Sequence, residues 1–274
     1  MTTTSTRADV VLPSIASVYR VRGVVELKEF FRQRESVVFT LAFPVILLVV
    51  FGAVLDYDIG HGVVFTQYFM AGIISAGILG ASLQNMAISI ATERSDGTLK
   101  SLVGTPMPKS AYFVGKIVQV LAVTLLIIVI LLTVGVAAYG VDLPSGRDWL
   151  TFVWVAALGS AACTLLGIAV SSLAKNGRSA SAMVTPIALV LQFISGVFFL
   201  FSQVPTWMQT VAAFFPLKWM AQGLRSVFLP DVLAHAEPAG SWELGRVALV
   251  LGLWCIAGLV LCVVTFRWQD RDAG

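Results

Sequence analysis

The sequence is poor in charge, in cysteine and in histidine. Only 12% of its 274 residues are Asp, Glu, Lys or Arg and 58% are hydrophobic, whereas about 25% of a soluble domain is charged. The net charge of +3 is too small and too scattered for a nucleic-acid-binding surface. The three cysteines lie in apolar runs and indicate neither a disulfide nor a zinc site. These absences exclude a disordered chain and a disulfide-rich secreted domain, and they favour a membrane protein.

Six uncharged apolar runs are each long enough to cross a bilayer, which takes about 20 residues of helix. They are Val37 to Leu55, Val63 to Ala91, Ile117 to Tyr139, Leu150 to Leu173, Ala180 to Phe201, and Val247 to Phe266. Six spans place both termini on one side of the membrane. Fourteen of the eighteen Lys and Arg residues, including Arg7, Arg267 and Arg271, then lie on that side. The positive-inside rule therefore predicts cytoplasmic termini.

The stretch from Ser14 to Arg34 mixes apolar and charged residues before the first span. This pattern is typical of an amphipathic helix that lies along the cytoplasmic membrane interface; the alternative is an ordinary charged flank that only sets the topology. The predicted organisation is a tail and interfacial helix over residues 1–36, a six-span domain over 37–266 and a cytoplasmic tail over 267–274. The predicted fold class is an all-α membrane protein.

None of the six spans contains Asp, Glu, Lys, Arg or His. Charges at membrane depth usually mark proton relays, ion sites or voltage sensors, so their absence argues against a pump, an ion-coupled antiporter, a voltage-gated channel and an intramembrane enzyme. The carboxylate pairs Asp56/Asp58 and Asp270/Asp272 lie at span ends and are expected to be solvated. No catalytic residue, metal site or cofactor is predicted for this chain.

Nucleotide chemistry within the chain is also disfavoured. The segment from Gly104 to Ser110 ends like a phosphate loop, but Pro108 stands where the glycine before the lysine must be. Any work that this protein does therefore draws its energy from a partner.

The polar residues within the spans are neutral, and small residues accompany them. Close helix packing is the commoner meaning of this pattern, and a path for an amphipathic solute is the alternative. The residues that would line such a path are Gln84, Asn85, Gln192, Phe198 and Phe199.

The connection between the second and third spans, about residues 92–116, is the longest cytoplasmic segment between two spans. Gly97 offers a backbone break, and Thr98 is predicted to cap a short helix with Leu99 on its apolar side. Pro106 and Pro108 would end that helix. Such a protruding helix suits insertion into a groove on another protein; the alternative is a long solvated loop.

Two stretches of the chain carry a family resemblance. The order Glu93-Arg94-Ser95-Asp96-Gly97-Thr98-Leu99, then Thr105-Pro106 and Gly115-Lys116, resembles the E-R-x-x-G-T-L...T-P...G-K stretch of ABC-2 type exporter permeases. The stretch Ser195-Gly196-Val197-Phe198-Phe199, followed by Val204-Pro205-Thr206-Trp207, Phe215-Pro216-Leu217 and Arg225, resembles that family's fifth span and the hairpin after it. The resemblance covers nearly the whole chain.

The resemblance implies the ABC-2, or type V exporter, architecture and a permease that works as a homodimer or heterodimer with two copies of a separate ATPase subunit, which binds ATP and Mg²⁺. The loop after the second span would form a coupling helix that docks on the ATPase, and a nonpolar hairpin at about residues 202–217 would lie in the outer leaflet. The residues implied for coupling are Glu93, Arg94, Asp96, Gly97, Thr98 and Leu99, with Pro106 and Lys116 bounding the loop. Leu99 would be the apolar anchor in the partner, and Glu93 would pair with a basic residue of the ATPase or of the N-terminal helix.

The expected function is export of a hydrophobic or amphipathic small molecule, such as an antibiotic, across the plasma membrane. Export of a lipid or lipid-linked glycan is the alternative cargo, and a non-transporting membrane scaffold is the alternative class. Membrane lipids and the solute are the other expected partners, with no nucleic acid.

Overall fold

The computed structural model describes residues 14–55 and 57–266. Three cations of the positive-inside count, Arg7, Arg267 and Arg271, lie outside the described residues, as do Asp56, Asp270 and Asp272. The predicted tail at 267–274 and the first thirteen residues of the segment 1–36 also lie outside them.

The described residues form helices joined by short connections. The helices are α1 (Ile15–Arg32), α2 (Arg34–Val54), α3 (Phe65–Leu79), α4 (Asn85–Ser95), α5 (Thr98–Val103), α6 (Lys109–Tyr139), α7 (Asp148–Ser171), α8 (Gly177–Ile194), α9 (Thr206–Ala212), α10 (Pro216–Phe228) and α11 (Leu244–Thr265). A π-helical turn at Gly80–Gln84 joins α3 to α4. Short 3-10 turns occupy Phe201–Gln203 and Asp231–Ala236.

Six of these helical segments are long and apolar enough to cross a membrane: Arg34–Val54, Phe65–Ser95, Lys109–Tyr139, Asp148–Ser171, Gly177–Ile194 and Leu244–Thr265. The prediction of an all-α protein with six spans is confirmed. Most boundaries differ from the predicted ones by a few residues, and two differ by more. The third span, α6, begins at Lys109 and not at Ile117. Pro108 precedes its first residue, and its first two turns lie before the apolar run. The fifth ends at Ile194, before Phe201, because Gly196 takes φ +71° and turns the chain.

The second span lies at the centre of the bundle. It is the most buried of the six, whereas the first and the sixth are the least buried. Its N-terminal part, α3, packs against α2, α6 and α10, and its C-terminal part, α4, packs against α7 and α8. Large apolar side chains remain exposed along α2, α6, α8 and α11, which is the pattern expected of helices that face lipid or a second membrane subunit.

Small residues allow the central helices to approach closely. A Cβ on Gly72 would lie 2.8 Å from the carbonyl oxygen of Val197, and one on Gly167 would lie 2.7 Å from that of Leu83. Both contacts are with backbone, so a larger residue would push α3 away from the turn after α8 and α7 away from the π-helical turn. At these glycines the structure supports close packing as the meaning of the small residues.

Helix α1 is a separate helix that packs along α6. Its N-terminus is capped by Ser14, whose hydroxyl oxygen accepts a hydrogen bond from Ser17 N at 3.3 Å. Its buried face carries Arg22, Gly23, Glu26 and Phe30. The predicted helix therefore exists, and its place along the membrane interface stays a prediction.

The hairpin predicted at about residues 202–217 is the start of a longer helical pair. Pro205 precedes α9, and Pro216 is the first residue of α10, a position at which the missing N–H of proline costs nothing. Helix α10 then continues to Phe228 and packs deeply against α3 and α7. The sequence pattern does not predict α10, because the polar residues of this helix place it outside every uncharged run.

Candidate functional site

The segment that joins the second and third spans contains a sharp backbone turn. Gly97 takes φ +78° and stands at the N-terminal boundary of α5. A side chain is disfavoured in this left-handed conformation, so the break predicted at Gly97 has a clear physical reason. The prediction that Thr98 caps α5 is wrong: Thr98 is the first helical residue, and the helix has no side-chain cap.

Leu99 is fully buried and belongs to an apolar cluster within the chain. The cluster also contains Met86, Ile90, Tyr112, Val120 and Ile168. The expectation that Leu99 is an anchor inserted into a partner is therefore wrong, because its side chain already fills a site between the second, third and fourth spans. Leu99 anchors α5 to its own membrane domain instead.

The opposite side of α5 is exposed. Lys100, Ser101 and Val103 are accessible there, and Leu102 and Thr98 are half-buried. Asp96 and Pro106 are also exposed, one in the turn before α5 and the other in the connection to α6. These residues form the part of the segment that a cytoplasmic partner could contact, and we call Asp96, Lys100, Ser101, Val103 and Pro106 the α5 outer face.

Glu93 lies in a buried charge network at the base of this segment. Its carboxylate forms an ion pair with Lys116 and accepts a 2.9 Å hydrogen bond from the hydroxyl of Tyr112. Lys116 Nζ also lies 2.8 Å from Glu26 Oε2, and Glu26 pairs in turn with Arg22. The network therefore joins α1, α4 and α6. The expectation that Glu93 pairs with a basic residue of the ATPase or of the N-terminal helix is therefore wrong: its basic partner is Lys116 on α6, and the N-terminal helix contributes the acidic residue Glu26.

The charges of this network, two anions and two cations, balance in a buried environment. Lys116 and Glu26 are each about 1% exposed, and the ring of Tyr112 lies 5.4 Å from Arg22 Cζ and 5.5 Å from Lys116 Nζ. Burial raises the pKa of Glu26, and Lys116 partly opposes that rise. A buried pair that loses one member leaves an uncompensated charge, so all four groups depend on one another.

Arg94 points the other way and joins the second span to the end of the fourth. Its guanidinium donates a 2.9 Å hydrogen bond to the carbonyl oxygen of Ser171 and another to that of Ala174. A cation at a helix C-terminus satisfies free carbonyls and favours the helix dipole. Arg94 therefore holds α4 to α7, and it is buried rather than offered to a partner.

A metal ion is not needed to explain the carboxylates here. One oxygen each of Glu26, Glu29 and Glu93 lies within 4.8 Å of the others, but Lys116 Nζ contacts both Glu26 and Glu93. The ammonium group thus supplies the positive charge between these two carboxylates.

Arg22, Glu26 and Tyr112 were not among the residues predicted for this site. A signal was present, because Arg22 and Glu26 have the i, i+4 spacing of a helical ion pair. That spacing does not reveal that the pair faces the third span instead of water.

The five residues considered for a solute path lie at different levels of the bundle. Gln84 and Asn85 are half-buried at the π turn, a feature that is frequent at functional sites. Gln192 and Phe198 are buried, and Phe198 lies 6.3 Å from Phe69 between ring centroids. Phe199 is half-exposed. Among the described residues, the polar pair at the π turn and the aromatic residues near Phe198 form two separate groups.

The described residues form six apolar spans, of which the second is buried at the centre, and a loop that carries a short helix lies on one side. This is the architecture of a multi-pass membrane protein. The chain belongs to the ABC-2 family of transporter proteins, whose family model matches residues 61–266. Curated relatives that it matches are named as transport permeases. Permeases of this family work in general with ABC ATPase subunits.

Curated relatives agree with this assignment. The chain is 26% identical to the inner membrane transport permease YadH of Escherichia coli (strain K12) over 212 residues, covering 74% of this chain and 80% of YadH. It is 18% identical to the putative transport permease YvfS of Bacillus subtilis (strain 168) over 207 residues, covering 76% and 84%. It is 25% identical to the probable multidrug ABC transporter permease YbhR of E. coli (strain K12) over 158 residues, 58% of this chain. That match spans only 42% of the length of YbhR.

Proposed function

We propose that this chain is the membrane subunit of an ATP-driven exporter in the plasma membrane, with cytoplasmic termini. Two copies of a separate ATPase would bind ATP and Mg²⁺ and drive a homodimer or heterodimer of this permease. The cargo we propose is a hydrophobic or amphipathic small molecule, in keeping with the name of YbhR, a probable multidrug ABC transporter permease.

The way in which α5 is held carries this proposal. Its inner side is fixed to the membrane domain through Leu99, and its outer face is free for a partner. Its base is tied to α1 and α6 through Glu93 and Lys116, and to α7 through Arg94. A force applied to α5 would therefore reach the second, third and fourth spans and the N-terminal helix together.

Each group of residues has a distinct role in this proposal. The α5 outer face contacts the ATPase. Leu99 holds α5 to the spans, and Gly97 sets the angle between α5 and α4. The positioning residues Glu93, Arg94 and Lys116 keep the chain rigid where α5 joins the membrane domain. Gln84, Asn85, Gln192, Phe198 and Phe199 remain the candidates for contact with the solute.

The test is co-purification of the permease with its ATPase, using a variant that changes only the exposed face. Val103→Glu places a charge where Val103 is 39% exposed, so the permease should fold normally and lose most of the bound ATPase. The matched control is Ser145→Glu, because Ser145 is exposed in the connection between α6 and α7 on the opposite side of the bundle. A control within a span, such as Thr133→Glu, would be unsuitable because it would place a charge in the membrane. Normal ATPase binding by the folded Val103→Glu variant would contradict the docking role of α5.

Cargo class needs a separate measurement. Efflux of ethidium, a hydrophobic cation, should slow in cells that lack the permease and recover when it is restored. A change in outer-leaflet lipids or glycans without any effect on efflux would favour the lipid alternative. Solute-independent ATPase activity with neither phenotype would favour a scaffold.

A further inference from the structure

A second buried charge pair lies at the opposite end of the bundle from α5. Arg225, on α10, is fully buried, and its Nε lies 2.8 Å from Oε1 of Glu237. Glu237 is itself 5% exposed and follows the 3-10 turn Asp231–Ala236. The pair therefore fastens the loop between α10 and α11 to α10.

Arg225 also reaches the spans on either side. Its Nη1 donates a 3.3 Å hydrogen bond to the carbonyl oxygen of Gly196, in the turn after the fifth span. Its Cζ lies 5.0 Å from the ring of Tyr68 on the second span, within the range of a cation–π contact. One guanidinium thus joins α3, the turn after α8, α10 and the following loop.

The hydrogen-bonding capacity of the Arg225–Glu237 pair is only partly used. Arg225 Nη2 and Glu237 Oε2 are buried, and neither has a hydrogen-bond partner among the described residues. A cavity adjoins the pair on the Glu237 side and is lined by Glu237 together with Tyr68, Phe201, Leu233 and Trp242. Desolvation offsets much of the attraction in a buried pair with unmet hydrogen bonds, and hydration on opening would satisfy both groups. This balance suits a contact that opens and closes.

We propose that Arg225 and Glu237 form a latch that closes the outer end of the transport path. In the closed state the pair holds the loop of residues 229–243 against the second span and the turn after the fifth. During export the pair separates, water enters the cavity, and the loop lifts. Both are positioning residues that need not touch the solute. The role in export rests on the proposed function, whereas opening of the latch can be measured on the permease alone.

The experiment measures how readily the cavity opens. Leu233, 8% exposed, lines it, and Leu233→Cys is introduced in a background with the three native cysteines replaced by alanine. Membranes that contain the full permease are treated with a membrane-impermeant maleimide. Adding Glu237→Gln should speed labelling of the cysteine on the order of tenfold, because local opening becomes easier. Arg225→Lys, which keeps the charge but loses the guanidinium fork, should act in the same direction.

The matched control is Glu243→Gln, which removes an ion pair with Arg246 from the same region, where Arg246 is 70% exposed. It should leave the labelling rate unchanged. Parent-like labelling in folded Glu237→Gln and Arg225→Lys variants would overturn the latch.

A second arm uses the Leu233→Cys protein without latch variants, together with its ATPase. ATP turnover should raise the labelling rate, and an unchanged rate during turnover would overturn the latch even if neither latch variant folds. Failure of the ATPase to associate would instead contradict the proposed function, and the latch would still be judged by the first arm.

Discussion

Lys116 lies between two carboxylates, Glu26 on α1 and Glu93 on α4. It is 1% exposed, so water cannot screen the charges that would remain if it were removed. At the scale of single residues, the structure of the segment around α5 depends on this ammonium group more than on the exposed charges nearby.

Lys116→Met should destabilise the permease by about 3 kcal/mol or more, because two buried carboxylates lose their shared cation. Thermal unfolding of the detergent-solubilised protein measures the effect. Lys100→Met, at an exposed position on α5, is the control and should change stability little. Equal unfolding temperatures for the two variants would show that the network contributes nothing.

Glu26 gives a prediction about pH. Burial raises its pKa above the ordinary value of 4.5, with Lys116 partly opposing the rise. In the folded protein the carboxyl group of Glu26 therefore keeps its proton at a pH where the unfolded chain has released it. The contribution of this protonation to the stability of the fold is fully present below pH 4.5, and it is lost as the pH rises through the folded-state pKa of Glu26. The unfolding temperature of the parent, relative to that of Glu26→Gln, should rise as the pH is lowered from 7 toward 4.5. A difference that shrinks on acidification would contradict the raised pKa.

At the scale of elements, α5 is short and has no side-chain cap. A six-residue helix has little stability of its own, so its position comes from the turn at Gly97 and from the burial of Leu99. The position of α5 is therefore fixed by the turn before it and by the packing of Leu99, together with the half-buried Leu102, against the apolar cluster.

Gly97→Ala should cost roughly 1–2 kcal/mol locally, because φ +78° is strained for any residue with a Cβ although the space around it is open. Hydrogen exchange of residues 98–103 should become faster, and less ATPase should co-purify. Gly104→Ala is the matched control, since Gly104 has an ordinary φ of −75° and a Cβ there would make only an ordinary contact. Similar exchange rates in the two variants would argue against a role for the left-handed turn.

The crossing of the second and fourth spans gives a prediction at the level of helix packing. Gly167→Ala would place a Cβ 2.7 Å from the carbonyl oxygen of Leu83 and 2.9 Å from Met86 Cβ, so we expect a loss of about 1–3 kcal/mol from overpacking. Gly252→Ala, in the sixth span with nothing within 4 Å, should be neutral. Thermal unfolding in detergent compares the two, and equal stabilities would contradict the close crossing.

At the scale of the whole molecule, the bundle has two chemically different ends. One end carries α5 and the Glu93–Lys116 network, and the other carries α9, α10 and the Arg225–Glu237 pair. The positive-inside count predicts that the first end faces the cytoplasm.

This assignment predicts the outcome of labelling in intact cells. A cysteine at Ser101, exposed on α5, should be protected from an impermeant maleimide, whereas one at Ser241, exposed before α11, should react. Both variants are made in a cysteine-free background, and permeabilised cells provide the control in which both react. The reverse pattern in intact cells would contradict cytoplasmic termini.

Much of the fold was predictable because apolar length and the position of charges act locally along the chain. Six spans, the break at Gly97 and the helix before the first span all follow from such patterns. Helix α10 was missed because an amphipathic helix packed inside a membrane protein resembles a polar connection in sequence. The direction of Leu99 was predicted wrongly for a related reason: an apolar residue on a short helix indicates burial but not the surface that buries it.

The sequence by itself determined that this is a six-span membrane protein, because bilayer thickness demands about 20 apolar residues per span and excludes charge from them. Its resemblance to ABC-2 permeases rested on two short motifs and not on the spans. Only the tertiary structure decided which charges meet. Lys116 joins Glu93 to Glu26 across 67 residues of sequence, and Arg225 meets Glu237 inside the opposite end. Pairing over such separations depends on how the helices pack, and no local pattern records it.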